Sequence, residues 1–214
     1  MNSRDLILRS IRKGNHVGGA AGIKQHEIAR HSASYRDSSQ LSHEARIALL
    51  IDRLQDYGAR VLRTTPEAVP QSINRLVEAR GASRMVMPPG IPAAWLPQSS
   101  YFTEDAALSP AELNTFDGVL TTATLAIAQT GTIVLQNAPG QGRRALSLVP
   151  DYYLCLLRTD QVVETVPEAF AQLAPTATLP TTFISGPSAT ADIEMTRIKG
   201  VHGPRTLDVL LIET

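Results

Sequence analysis

The stretch Asp151–Arg158, DYYLCLLR, has the strongest structural pattern in the chain. Every side chain between its two charged ends is apolar or aromatic. A nearly continuous apolar run of this length is typical of a strand that is buried on both faces. Such strands lie in the middle of parallel sheets, so the stretch predicts the centre of a sheet that is covered on both sides.

Helix and strand patterns alternate over roughly residues 42–175. The clearest helix begins after Ser42, a good N-cap residue, and ends at Gly58. Further helices are predicted at 65–80, from Ser109 and at 161–172, and further strands at 60–63, 83–87, 101–103, 117–120, 123–128, 132–135, 181–185 and 206–212. This alternation indicates an α/β fold with a parallel-containing sheet, and the strand-rich part near 117–136 adds an antiparallel element.

The first 41 residues differ in composition from the rest. Residues 3–13 carry apolar Leu6, Ile7 and Ile11 at helical spacing among charges, which predicts a short amphipathic helix. The segment after it is rich in Gly, Ser, His and charged residues, as is typical of a mobile connection. We therefore expect an N-terminal helical and mobile extension over residues 1–41, followed by one α/β domain over residues 42–214.

The bulk composition argues against several classes of protein. A hydrophobic fraction of 43% in 214 residues is enough for a buried core. The 20 basic residues equal the 20 acidic ones, so nothing electrostatic favours nucleic acid or an acidic membrane as a partner. No apolar run reaches the ~18 residues of a membrane-spanning helix, and the first residues lack the apolar stretch of a signal peptide. The expected location is the cytoplasm.

The chain contains one cysteine, Cys155, inside the apolar run just described. A cysteine-ligated iron–sulfur cluster or zinc site needs several thiolates, so this chain cannot build one alone. His26 and His31 are spaced poorly for one helix face, and solvated surface explains them better than a metal site. We therefore expect no metal and no cofactor in this chain, with Cys155 packed as a small hydrophobe.

Two loops near the C-terminus have the composition of a binding site. The first, residues 185–194 with the sequence SGPSATADIE, follows a predicted strand and is rich in hydroxyls and backbone amides. If a helical turn begins near Ser188 or Thr190, its free N–H groups would bind an anion beside Gly186. The same residues also fit a short helix that Ser188 or Thr190 simply caps, with no ligand.

The second loop, residues 199–205 with the sequence KGVHGPR, is tightened by two glycines and a proline. His202 can exchange a proton near neutral pH, and Arg205 can bind a carboxylate or phosphate through its forked guanidinium. Gly203 lies between them and exposes backbone. Only about one helix separates the two loops, so one cleft can hold both.

The acidic residues of the first loop point to other chemistry. Asp192 and Glu194 oppose an anion and favour a hydroxyl, an amine or a cation. Together with His202 they are the candidates for a catalytic base or nucleophile.

Two further loops are weaker candidates. The turn 129–132, QTGT, either joins two strands or presents the amides and hydroxyls of Thr130 and Gly131 to a ligand. The loop 139–144, PGQGRR, places two cations at a predicted helical turn but matches neither the Walker pattern nor GxGxxG. No GxSxG elbow and no HExxH zinc motif is present.

Three of these stretches together carry a family resemblance. TLAIAQTGTIVL (124–135), GQGRRALSLVPDYYLCLL (140–157) and SGPSATADIEMTRIKGVHGPRTLDVLLIE (185–213) resemble the LUD-domain family, and within it the C-type lactate-utilisation proteins. The resemblance covers about residues 45–213. It implies a three-layer α/β/α domain similar to the NagB/RpiA/CoA-transferase group. It also implies two partner proteins that carry iron–sulfur clusters, in the oxidation of L-lactate to pyruvate.

The chain departs from the family at one informative position. Gln129 stands where the family usually has glutamate before Thr-Gly-Thr, and glutamate is a nucleophile in related CoA-transferase folds. Gln129 therefore argues against covalent chemistry at that position. Because one cysteine cannot hold an iron–sulfur cluster, we expect a non-redox component that binds a small anionic or nucleotide-like ligand. The alternatives are a stand-alone enzyme of the CoA-transferase or sugar-phosphate-isomerase kind, and a structural adaptor in which the C-terminal motif only packs.

Overall fold

The structure is a computed structural model that describes residues 3–17, 39–99, 101–190, 198–199 and 202–214. The chain divides into two units, Met1–Tyr35 and Arg36–Thr214. In the first unit the described residues form one helix, α1 (Ser3–Val17), which continues past the predicted end at residue 13. His26 and His31 lie outside the described residues.

The second unit is an α/β domain. Its helices are α2 (His43–Asp56), α3 (Val69–Ala79), α4 (Pro110–Leu113) and α5 (Val166–Leu173). Its strands are β1 (Arg60–Thr64), β2 (Met85–Met87), β3 (Phe102–Glu104), β4 (Gly118–Thr122), β5 (Leu125–Ile127), β6 (Thr132–Leu135), β7 (Tyr152–Arg158), β8 (Val162–Val163), β9 (Thr182–Ile184), β10 (Ala189–Thr190), β11 (Ile198–Lys199) and β12 (Thr206–Ile212). Among the described helices none is long and apolar enough to cross a membrane.

A six-stranded parallel sheet with the order β1-β12-β7-β4-β2-β3 forms the framework. β7 lies inside it, with Tyr153 opposite Leu207 of β12 on one side and Val119 of β4 on the other. All of its residues except Arg158 are buried. This confirms the prediction that Asp151–Arg158 marks a central strand.

The side chains of β7 alternate between two hydrophobic cores. Tyr153, Cys155 and Leu157 point to the face that α2 covers through buried Ile47 and Leu50. Leu154 and Leu156 point to the opposite face, where α3 supplies its own apolar stripe through Val69, Ile73, Leu76 and Val77. The predicted α/β layering, helix against sheet against helix, is therefore confirmed.

A second sheet, with the order β8-β5-β6-β9, lies on the α2 side. Its strands β6 and β9 run antiparallel to their neighbours, which confirms the antiparallel element predicted near 117–136. One face, with Ala126 and Ile133, joins the α2 core, and the other, with Ile127, packs against Ala169 and Leu173 of α5. The domain thus has an extra β layer between the main sheet and α5.

The predicted helix over 161–172 is wrong in its first five residues. Val162 and Val163 pair with β5 as strand β8, and the helix starts only at Val166. Thr165 caps it, because its side chain accepts from the Glu168 backbone N–H at 3.4 Å. Strand pairing in the second sheet outweighs local helical periodicity here, because Val162 and Val163 are β-branched and apolar and pair with a buried neighbouring strand.

The residues just before α2 are anchored to the domain by a buried carboxylate. Oε2 of Glu164 accepts hydrogen bonds from the backbone N–H of Gln40 at 2.7 Å and of Leu41 at 2.8 Å, and from the Ser39 hydroxyl at 3.0 Å. Glu164 directly follows β8 in the chain, so its carboxylate fixes the start of α2 beside the end of that strand.

Because β7 serves two cores, truncation of one of its side chains should be costly. Replacing fully buried Leu154 by Ala should lower the free energy of unfolding by about 2–5 kcal/mol. The matched control is Leu179→Ala, which removes the same atoms from a side chain that is 40% exposed and should change it by less than about 1 kcal/mol. Urea denaturation of both variants measures the difference, and equal losses would contradict the two-core description.

Candidate functional site

The two C-terminal loops meet in one cleft, as the sequence indicated. The cleft has a volume of about 230 Å³, and residues 185–188 and 202–204 line it. Ser188 joins the two loops, since its backbone N–H donates to the Pro204 carbonyl at 2.8 Å and its hydroxyl accepts from the His202 backbone N–H at 3.1 Å. We call this site the loop cleft. Of the predicted ligand residues, Gly186, Ser188, His202 and Gly203 line it.

The backbone beyond Ser188 is not the helical turn that the sequence predicted. Ala189–Thr190 forms β10, which pairs antiparallel with Ile198–Lys199 of β11. For residues 189–190 the helix prediction is wrong, because a partner strand from the second loop satisfies their backbone groups. Residues 191–197, where the rest of the predicted helix falls, lie outside the described residues. Asp192 and Glu194 lie outside the described residues.

The loop cleft opens near the amino end of the main sheet. Tyr153 and Leu207, which line it, are the second residues of β7 and β12. The first loop does follow the carboxyl end of a strand, but that strand, β9, belongs to the second sheet. The cleft therefore lies where the two sheets diverge.

Arg144 supplies the cationic side chain of the loop cleft. Its guanidinium donates through Nη1 to the Ser147 hydroxyl at 2.8 Å, which orients it. The neighbouring Arg143 points elsewhere and pairs with Asp105. Both arginines stand in the PGQGRR loop, but Arg144 was not among the predicted site residues. The serine three residues after it is the local signal that could have selected it.

Arg205, the cation predicted from the second loop, is not among the residues that line the loop cleft. Its guanidinium lies 3.6 Å from Asp151, and both side chains are more than half exposed. An exposed pair of this kind contributes little to stability, about 0–1 kcal/mol. The structure therefore places Arg205 on the surface beside the cleft's loop.

Thr130 and Gly131 form the turn between β5 and β6 and reach the loop cleft only indirectly. The Thr130 and Thr132 hydroxyls are 2.7 Å apart, and that of Thr132 is 2.7 Å from the Ser185 hydroxyl, which lines the cleft. This chain of hydroxyls connects the QTGT turn to the cleft wall. The turn can therefore interact with a ligand in the cleft through the Ser185 hydroxyl.

Two glycines of the predicted site allow loops to approach the last turn of α2. Gly131 has φ +59°, and a Cβ there would lie 2.7 Å from the Arg53 Cβ. Gly186 has φ +87°, and a Cβ there would lie 2.5 Å from the Tyr57 Cβ. Both positions therefore exclude a side chain on packing grounds, whatever they do for a ligand.

Tyr153, which lines the loop cleft, belongs to a buried hydroxyl pair next to the cysteine. The Tyr153 hydroxyl lies 2.7 Å from that of Thr121. Burial raises the pKa of Tyr153 and raises the pKa of the Cys155 thiol to about 12. Both groups stay protonated at neutral pH, and Cys155, with no exposed surface, is the buried hydrophobe that the sequence predicted. Within the described residues no cluster of three metal-ligating side chains occurs.

Comparisons with known proteins agree on one family. The model of the LUD domain matches residues 47–212. A Deinococcus radiodurans protein named lactate utilization protein C is 43% identical over 75% of this chain and 76% of its own length. A protein of the same name from Bacillus pumilus is 29% identical over 100% of this chain and 98% of its own.

A solved structure shares the fold. The crystal structure of a DUF162 family protein from Deinococcus radiodurans matches with a TM-score of 0.70 and 37% identity, over 80% of this chain and 99% of that one. The α/β architecture is thus common to both chains, and it is consistent with the NagB/RpiA/CoA-transferase-like class that the resemblance implied.

A pair of glycine variants separates backbone conformation from close packing. Gly58→Ala, at φ +88° with no atom within 4 Å of the added Cβ, should cost about 1 kcal/mol. Gly186→Ala, at φ +87°, should cost about 1–3 kcal/mol more, because its Cβ collides with Tyr57. Thermal and urea unfolding of the two variants gives the comparison. If both variants lose the same free energy of unfolding, the close approach of Gly186 to Tyr57 does not require glycine.

Proposed function

The chain belongs to the LUD-domain family, and on that premise we propose that it is a non-redox component of an L-lactate oxidation system whose iron–sulfur clusters are carried by partner proteins. The names of the relatives from Deinococcus radiodurans and Bacillus pumilus support a role in lactate utilisation. The loop cleft would bind the small anion on which the system acts.

The observation that carries this proposal is the charge of the loop cleft. Among the described residues that line it none is acidic, while Arg144 is cationic and is oriented by Ser147. The Ser188 hydroxyl accepts from His202, so its own proton can be donated to a ligand. A guanidinium and a hydroxyl donor near each other favour a carboxylate.

Size distinguishes between the two kinds of ligand considered. Pockets for drug-sized molecules occupy roughly 300–1,000 Å³. The loop cleft, at about 230 Å³, is smaller and suits a short carboxylate such as lactate or pyruvate better than a nucleotide. We therefore commit to the small anion.

The proposed non-redox role of this chain follows from the electrons that lactate oxidation releases. Oxidising lactate to pyruvate removes two electrons and two protons, which an acceptor must take. Cys155, the one thiol of this chain, is buried and protonated at neutral pH, so it offers no thiolate for a cluster or for thiol chemistry. In the proposed system the electrons pass to iron–sulfur clusters that partner proteins hold.

Arginine variants test the binding site. Arg144→Gln should weaken binding of L-lactate or pyruvate by about 10–100-fold, since one charge-assisted contact is lost. Arg205→Gln is the matched control: it removes the same charge outside the cleft and should leave affinity unchanged. Isothermal titration measures both. If Arg205→Gln weakens binding and Arg144→Gln does not, the ligand lies elsewhere.

The assembly is tested in the source organism. Deletion of the gene should abolish growth on L-lactate and leave growth on pyruvate intact, and affinity purification of the full chain should recover iron–sulfur proteins. Unchanged growth together with no iron–sulfur partner would refute the proposed role. Turnover of CoA thioesters or sugar phosphates by the purified chain would favour the stand-alone enzyme instead.

A further inference from the structure

A second cavity lies at the carboxyl edge of the main sheet. It has a volume of about 450 Å³, and its walls are made largely by Pro88, Pro89, Ala138 and Pro139, with Arg143 at one side. We call it the carboxyl-edge crevice. It shares no lining residue with the loop cleft.

The crevice lies at the switch point of the sheet. The chain leaving β2 passes to the α3 face, where Ile91 and Trp95 pack. The chains leaving the two neighbours of β2 pass to the opposite face, with Leu108 and Leu113 after β3 and Ala123 after β4. Connections that diverge from adjacent parallel strands open a crevice outside their carboxyl ends, and ligands of open α/β sheets bind there.

The loops around the crevice are held in fixed positions. The Thr122 backbone N–H donates to the Gly140 carbonyl at 2.7 Å, and the Gly140 N–H donates to the Pro89 carbonyl at 2.8 Å. A Cβ on Gly90 would lie 2.7 Å from the Pro139 Cβ, so these loops are in close contact. The walls are therefore preformed.

Backbone strain is concentrated in the same place. Ala107, with φ 62°, and Asn137, with φ 42°, are the non-glycine residues with positive φ in the described part of the chain. Both line the crevice. Strained residues persist where the surrounding structure fixes them, and they cluster at binding sites.

The charge of the crevice differs from that of the loop cleft. Arg143 donates to Asp105 through Nε at 2.8 Å and through Nη2 at 2.9 Å, so its positive charge is neutralised. Among the described residues no acceptor contacts its Nη1. The Arg143–Asp105 pair as a whole therefore has no net charge, while the guanidinium still offers a hydrogen-bond donor, and this combination favours a neutral carbonyl over a carboxylate.

We propose that the carboxyl-edge crevice is a second ligand site, for a neutral flat ring that bears a carbonyl or amide oxygen. The ring would lie between the proline and alanine walls, and its oxygen would accept from Nη1 of Arg143. Asp105 would hold the guanidinium in place without contacting the ligand.

Nicotinamide and nicotinate test this directly, because they share a ring and differ in charge. In titrations followed by amide chemical shifts, nicotinamide should move the signals of Asn137, Gly142 and Arg143, and nicotinate should move them much less. Arg143→Lys keeps a cation beside Asp105 but loses the fork, and it should weaken nicotinamide binding about tenfold. Ala138→Phe should abolish it by filling the crevice.

The matched control is Arg158→Lys, which makes the same change in an arginine that donates to Asp160 through Nε and Nη2 but lies outside both cavities, and it should leave nicotinamide binding unchanged. The proposal is overturned if nicotinate binds in the crevice as tightly as nicotinamide, or if nicotinamide does not shift these three signals. Should Ala138→Phe fail to fold, the comparison of Arg143→Lys with Arg158→Lys still decides, since equal affinity in both removes Arg143 from the site.

Discussion

β7 carries side chains into two cores at once, and most of the domain is built against one or the other. Tyr153, Cys155 and Leu157 require a cover on one face, and Leu154 and Leu156 require one on the other. A parallel strand cannot leave either face in water, because its residues are apolar in both directions. The helices α2 and α3 and the second sheet all follow from that requirement.

The second consequence is a packing constraint at the end of α2. Because α2 shares its face of the main sheet with the second sheet, the loops of that sheet come against its last turn. Glycine at 131 and 186 lets those loops come within contact of Arg53 and Tyr57. Gly131 and Gly186, which the sequence predicted as ligand-binding residues, are thus also required for the packing of these loops against α2.

Two adjacent arginines show how one loop serves two cavities of different chemistry. Arg143 is neutralised by Asp105, and the same contact holds the pKa of the Asp105 carboxyl below its ordinary value. Arg144 donates to the Ser147 hydroxyl, and among the described residues no carboxylate forms an ion pair with it. The distinction between them comes from their partners: the carboxylate of Asp105 is distant in the sequence, whereas Ser147 is three residues from Arg144.

The sequence by itself determined the elements whose signal is local or periodic. The double-sided burial of 151–158, the capped helix after Ser42 and the meeting of the two C-terminal loops at Ser188 all agree with the structure. What only the tertiary structure decided was pairing between distant segments: Val162 and Val163 became a strand, residues 189–190 paired with 198–199, and Arg144, rather than Arg205, lined the cleft. The physical reason is that a strand or an ion pair depends on partners that loop closure brings together, and local propensity carries no information about them.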